Sequence, residues 1–169
     1  MTERQNDPEV CLRAPGPRDG ARIWQLVADC PPLDRNSMYF NLIQCDHFAQ
    51  TCILAEQGDK LLGWVSGHVP PSRPGTLFVW QVAVDAEARG MGLGRQMLAQ
   101  LVERTGARRI ETTITKDNDA SWGLFRGFAG AREAELRSTP HFTRDVHFDG
   151  AHATEHLVRI ELDAARKAA

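Results

Sequence analysis

An α/β fold in one domain is predicted by three observations. A strand, a glycine-rich loop and an amphipathic helix follow one another over Phe78–Arg104. Runs of strand length, rich in β-branched residues, recur on both sides of that stretch. Between them lie segments whose apolar residues fall at helical spacing.

Each element has its own signal. Val10–Arg13 reads as a first strand, broken by Pro15-Gly16-Pro17. Asp19 stands where a helix N-cap belongs, and Ile23, Trp24, Leu26 and Val27 follow on one helical face. Pro31-Pro32 ends that helix. The segment from Leu33 to Asn41 reads as a second helix capped by Asp34, Asn36 or Ser37, with Tyr39, Leu42 and Ile43 toward the core. Thr51–Ala55 and Leu61–Val69 read as a hairpin around the turn from Glu56 to Lys60, and Gly63 and Gly67 mark bulges or close backbone approach. Phe78–Val84, with Val79, Val82 and Val84, is a strand buried on both faces. Leu93, Met97, Leu98, Leu101 and Val102 share one face of the next helix, which Gly106 ends. Arg109–Thr115 is a strand. Asp117 to Ser121 caps a helix carrying Trp122, Leu124, Phe125 and Phe128. Residues 130–150 fit a strand or a long loop, and Glu155–Leu162 alternates as the last strand. Residues 1–8 read as a disordered arm, 9–163 as the domain and 164–169 as a frayed tail.

Composition narrows the class. The chain has 169 residues, 42% hydrophobic and 25% charged, with a net charge of −2. That is one soluble globular domain. The absence of a long basic run argues against nucleic acid as a partner. No apolar run approaches the ~20 residues that span a bilayer, and the polar start does not resemble a signal peptide, so a cytoplasmic location is expected. Cys11, Cys30, Cys45 and Cys52 form no C-x-x-C pair. They read as buried reduced thiols, and no metal is expected.

The loop Arg89-Gly90-Met91-Gly92-Leu93-Gly94 carries the chemistry. A helix start leaves backbone N–H groups without partners, and the helix dipole adds positive potential there. Residues lacking a Cβ admit an anion to those amides, and Arg89 and Arg95 add charge. The fitting guest is a phosphate or pyrophosphate. A dinucleotide fingerprint fails, because Arg95 stands at the third glycine position. A Walker loop fails for want of Gly-Lys-Ser/Thr. The remaining pattern, R-x-x-G-x-G after a buried strand, resembles the coenzyme A loop of the GNAT acetyltransferase superfamily. The order of elements agrees: strand, two helices, three strands, helix, strand, helix, then one or two strands.

That resemblance, over about Val10 to Leu162, implies a GNAT fold. This is a central twisted sheet of six to seven strands, mixed but mostly antiparallel, flanked by about four helices. It implies a bulged strand whose main chain at Val82, Ala83 and Val84 meets the pantetheine of acetyl-CoA. It gives the pyrophosphate to Arg89, Gly90, Met91, Gly92, Leu93, Gly94 and Arg95. The superfamily motif N-x-x-A-x-x-L-Y appears as Asn118, Ser121, Leu124 and Phe125, with Asn118 and Phe125 expected at the coenzyme. Phe125 replaces a tyrosine that often protonates the departing thiolate. Tyr39, a water or unassisted departure are the alternatives.

Asp34-Arg35-Asn36-Ser37 with Tyr39 and Asn41, then Asp46-His47-Phe48 with Thr51, is similar to the L-2,4-diaminobutyric acid acetyltransferases of ectoine biosynthesis. So are Val79–Val84 and His156–Leu162. That family implies acetyl-CoA as co-substrate, the 4-amino group of diaminobutyrate as acceptor and a homodimer. The acceptor amine must lose a proton, its pKa being near ~10.4 like that of lysine. Asp34 and Glu155 are the candidate bases, with His152 and His156 weaker candidates and His47 structural. A backbone N–H near Val82 would stabilise the oxyanion. Asn36, Tyr39, Trp80 and Gln81 are further candidate amine contacts, with Arg35 and Asn41 as plausible polar neighbours. The alternatives are a GNAT enzyme acting on another small amine, and a non-catalytic acetyl-CoA sensor.

Overall fold

A computed structural model describes residues 9–162. The expected arm at 1–8 and tail at 164–169 lie outside the described residues. The strands are β1 (Val10–Arg13), β2 (Ile53–Gln57), β3 (Lys60–His68), β4 (Thr76–Val84), β5 (Arg109–Thr115), β6 (Glu135–Phe142) and β7 (Glu155–Glu161). The helices are α1 (Gly20–Ala28), α2 (Met38–His47), α3 (Leu93–Thr105), α4 (Asp119–Gly130) and the single turn α5 (Arg144–His147). All seven strands join one sheet in the order β1-β2-β3-β4-β5-β7-β6. Only β4 and β5 pair parallel among the described strands. The architecture is the GNAT fold.

Alternation along the strands sends side chains to two cores. Ile53, Val65, Val79, Ile110 and Val158 pack with Leu93, Met97 and Leu101 of α3 and Phe125 and Phe128 of α4. On the opposite face Leu54, Trp64 and Ala83 pack with Ile23, Leu26 and Val27 of α1 and Cys45 of α2.

Two irregularities at the sheet centre make room for a site. Ser66 pairs with Gln81 but Gly67 pairs with Val79, so Trp80 is an extra residue on β4. β3 carries an extra residue of its own, Leu62, beside Gly63; Gly67 serves close approach, since a Cβ there would meet the Phe78 carbonyl at 2.7 Å. Beyond Phe78, paired with Glu111, β4 and β5 part company. The Glu111 carboxylate is fully buried at the foot of this splay, 2.8 Å from Arg159 Nε and 3.2 Å from Arg73 Nε. Two guanidinium groups thus offset the cost of burying one charge.

Local expectations fare differently. Asp19 is the N-cap residue of α1, as expected, but its side chain makes no cap bond; its carboxylate takes two bonds from Arg13, one from Arg22 and one from the Gly16 N–H. Ser37 is the cap of α2, its Oγ accepting from the Phe40 N–H at 3.1 Å. That start sets the rotation of α2, and the inward face is Asn41, Gln44 and Cys45. Tyr39, expected toward the core, is 72% exposed. The 130–150 region holds a strand, β6, and the turn α5. Cys30, Cys45 and Cys52 are buried, but Cys11 is exposed.

Candidate active site

Two adjoining cavities run through the splay. One, of about 530 Å³, lies along the loop before α3 and is lined by Val84, Arg89, Gly90, Gly92, Gly94 and Arg95. The other, of about 390 Å³, is lined by Asp34, Trp80, Gln81, Thr113, His152 and Glu155 among others. Pro32, Leu33, Val82, Asn118 and Ser121 line both. The two therefore meet at Val82, between the splayed edge of β4 and the start of α4. Thr112 and Thr113 are neighbours on β5 and point to opposite faces, yet both line the second chamber. The chamber thus passes through the sheet.

The loop is built for an anion. Gly90 and Gly92 have φ of +81° and +74°, a conformation that side chains resist. Gly92 stands at the cap of α3 with no side-chain cap bond. The first-turn N–H groups of α3 are left for a ligand. A Cβ on Gly92 would come 3.8 Å from Arg95 Nη2, inside the space between amides and guanidinium. On the far wall, Gly123 and Gly127 present a helix face without side chains. The groove residues thus fit a coenzyme diphosphate and its pantetheine arm.

The chamber is built for a cation. Asp34, Asp117 and Glu155 line it, and among the described residues no lysine or arginine does. Glu155 lies at the head of β7, on the face shared with Thr113. Burial pushes its carboxyl above the usual carboxylate range, against the pull of the nearby His152. Its Oε2 is buried without a partner. His152 Nδ1 is 2.7 Å from the Ala153 carbonyl, which fixes that nitrogen as the donor. Its Nε2 then faces Glu155 Oε1 at 3.9 Å.

The bulge aims the aromatic wall. Trp80 and Gln81 are consecutive, yet both turn to the α2 side. Trp80 packs against the tilted ring of Phe40, and Gln81 Nε2 donates to the Asp34 carbonyl at 2.9 Å. A bulge permits this departure from strict alternation.

Of the residues singled out in the sequence, the structure brings Asp34, Trp80, Gln81, Val82, Phe125 and Glu155 to the chamber. Arg89, Gly90, Gly92, Leu93, Gly94, Arg95 and Val84 line the groove, and Asn118 lines both. Phe125 thus lies on the chamber side, not along the coenzyme groove as expected. The Ala83 side chain is buried in the core under α1, so that position offers only main chain. Met91 is exposed and lines neither cavity. Asn36 is held by its carbonyl, which accepts from Trp24 Nε1, and it too lies outside the lining. Tyr39 lies outside both cavities. His156 points to the helix-packed face opposite Glu155. Sequence reading missed Thr112, Thr113 and Asp117. Their signal was only position: two in the middle of β5, one just before the Asn118 cap.

The comparisons with known proteins agree with this geometry. The model of the acetyltransferase (GNAT) family matches residues 21–129. The L-2,4-diaminobutyric acid acetyltransferase of Methylotuvimicrobium alcaliphilum is 47% identical over 156 residues, covering 90% of this chain and 91% of that protein. That of Bordetella parapertussis is 48% identical over 153 residues, covering 88% and 82%. A solved structure of the diaminobutyrate acetyltransferase EctA from Paenibacillus lautus, in complex with its substrate L-2,4-diaminobutyric acid and coenzyme A, superposes with a TM-score of 0.86. It is 38% identical, and the match covers 92% of this chain and 96% of that one. With relatives this similar over nine-tenths of its length and a family model matching residues 21–129, the chain belongs to the L-2,4-diaminobutyric acid acetyltransferases of the GNAT family.

Proposed function

We propose that this protein transfers the acetyl group of acetyl-CoA to the 4-amino group of L-2,4-diaminobutyrate, a step of ectoine biosynthesis. The observation that carries this reading is the join at Val82. A groove suited to a diphosphate opens there into a chamber walled by Asp34, Asp117 and Glu155. The coenzyme supplies an activated acetyl group at that join. Everything else is done by the chain. The loop amides with Arg89 and Arg95 hold the diphosphate. Main-chain N–H groups of β4, freed from β5 beyond Phe78, face the reacting carbonyl near Val82. Holding both reactants in one passage supplies orientation.

Glu155 is the base in this reading. A carboxylate weakened as an acid by burial is a better acceptor for the ammonium proton. Asp34 and Asp117 attract the diammonium substrate, and Trp80 packs on its stem. The departing thiol has a pKa near ~8.5, so its thiolate leaves at neutral pH with little help. Tyr39 is assigned no proton transfer.

We extend the proposal to a homodimer, the assembly the family resemblance implies, acting in the cytoplasm. No helix among the described residues is long and apolar enough to cross a membrane. The test is initial-rate thiol release with diaminobutyrate, ornithine, lysine and polyamines as acceptors. Diaminobutyrate should give the highest kcat/KM. A clear preference for another amine would replace the substrate, and coenzyme binding with no turnover on any amine would make the protein a sensor.

A further inference from the structure

The face of α2 that meets the sheet is polar. Asn41, Trp64 and Ser66 are wholly buried, and Gln81 is 7% exposed. Asn41 Oδ1, Trp64 Nε1, Ser66 Oγ and Gln81 Oε1 have no hydrogen-bond partner. Eight side-chain atoms among the described residues share that condition, and half of them belong to these four residues.

The register gives the place. Ser66 stands opposite Gln81 on β3 and β4, and Trp64 opposite Ala83. All four side chains face α1 and α2. Helix α2 crosses this row. Near its start Phe40 packs against Trp80, ring centroids 5.0 Å apart, and one turn later Cys45 joins Cys52 in the buried cluster. Asn41 lies one turn before Cys45 on that inward face, between the Phe40–Trp80 contact and the Cys45–Cys52 cluster.

Both amides are held through their nitrogens. Asn41 Nδ2 donates to Gln44 Oε1 at 3.0 Å, and Gln81 Nε2 donates to the Asp34 carbonyl at 2.9 Å. Each amide is thereby left with a buried oxygen that has no partner. The seam thus holds two acceptors, an indole donor and a hydroxyl that is both. Leaving such groups unbonded is costly. Water donates twice and accepts twice, and a buried water takes two to four polar partners.

We propose that Asn41, Trp64, Ser66 and Gln81 form an internal water site, and that this bound water, through the Gln81–Asp34 bond, positions the Asp34 loop over the acceptor chamber. The water site stands on burial and register alone; its positioning role rests on reading the chamber as the amine site.

The test combines crystals of the full chain with steady-state kinetics on the wild type, Ser66→Ala and Gln81→Met. In the wild type, density for ordered water is expected within hydrogen-bond distance of Asn41 Oδ1 and Gln81 Oε1. In both variants the amine KM should rise roughly three- to tenfold, the scale of one lost hydrogen bond, with the acetyl-CoA KM unchanged. Gln81→Met carries the kinetic test if Ser66→Ala does not fold. A dry seam, with Ser66 Oγ bonded directly to either amide, overturns the water site. Water present with an unchanged amine KM in the variants, or both KM values raised together, overturns the positioning role. Absence of diaminobutyrate turnover in the wild type would instead count against the substrate assignment, leaving the density to decide the water site.

Discussion

Trp80 packs against Phe40, their ring centroids 5.0 Å apart and their planes tilted by 54°, because Trp80 is the extra residue of the β4 bulge. One wall of the chamber therefore depends on a strand irregularity. Trp80 is 52% exposed, so its removal should cost the fold little. Trp80→Ala is expected to raise the amine KM about tenfold, on the scale of one lost hydrophobic contact, with the acetyl-CoA KM near wild type. Initial rates with each substrate varied in turn check this.

Glu155 sets activity against stability. Its carboxyl titrates above the usual range in the folded chain because burial disfavours the charged form. The ionised group thus costs stability above the ordinary glutamate range near pH ~4.3. The cost vanishes in acid, where glutamate is protonated folded or unfolded. Glu155→Gln should therefore melt higher than wild type at neutral pH and equally at acid pH. Its kcat should fall by about 10²–10⁴, the range for a general base. Thermal melts at two pH values, beside rate measurements, read both effects. A Glu155→Gln enzyme with full activity would remove Glu155 from the chemistry.

The loop makes a separate demand. Gly92 has φ +74° and stands beside Arg95. Gly92→Val should strain the turn by roughly 1–3 kcal/mol and crowd the anion. Coenzyme A affinity is expected to fall at least about tenfold, measured by titration calorimetry. Amine affinity, judged from competition at fixed coenzyme saturation, should hold.

How far the residues announced all this varied by element. The stretch from β4 through α3 was legible because its signals are local. An apolar strand, a run of glycines and a helical stripe each speak for themselves. Strand β6 was not, since every residue in it stays exposed or half-buried and Pro140 interrupts it. Pro140 is tolerated because β6 is an edge strand. The inward face of α2 was misread because apolar periodicity points to Tyr39, while burial fell to Asn41 and Gln44. Packing that depends on a polar seam has no periodic signature. The bulge at Trp80 was legible only through family resemblance, for nothing in Val79–Val84 marks an extra residue. Asp34 and Glu155 lie far apart in sequence, and only the splay brings them to one chamber.

Acid should loosen the opposite edge. Asp19 and Glu56 both titrate below the usual carboxylate range, chiefly through hydrogen bonds from Arg13. A carboxylate lowered by folding lends stability that is present above its unfolded pKa and lost as pH falls through the folded value. Wild-type stability should therefore decline below about pH 4. Asp19→Asn should be less stable by about 1–3 kcal/mol at neutral pH and show a shallower acid decline. Urea unfolding between pH 3 and 7 would follow both, the range chosen around ordinary carboxylate pKa values near ~4.

The central claim is that a coenzyme held at the glycine turn delivers its acyl end to Val82. A crystal structure of the full chain with coenzyme A tests it most directly. The account expects the diphosphate on the main-chain amides between Gly90 and Gly94, and the thiol between β4 and β5 facing Glu155. A diphosphate bound elsewhere, or a thiol that never enters the gap beyond Phe78, would contradict it.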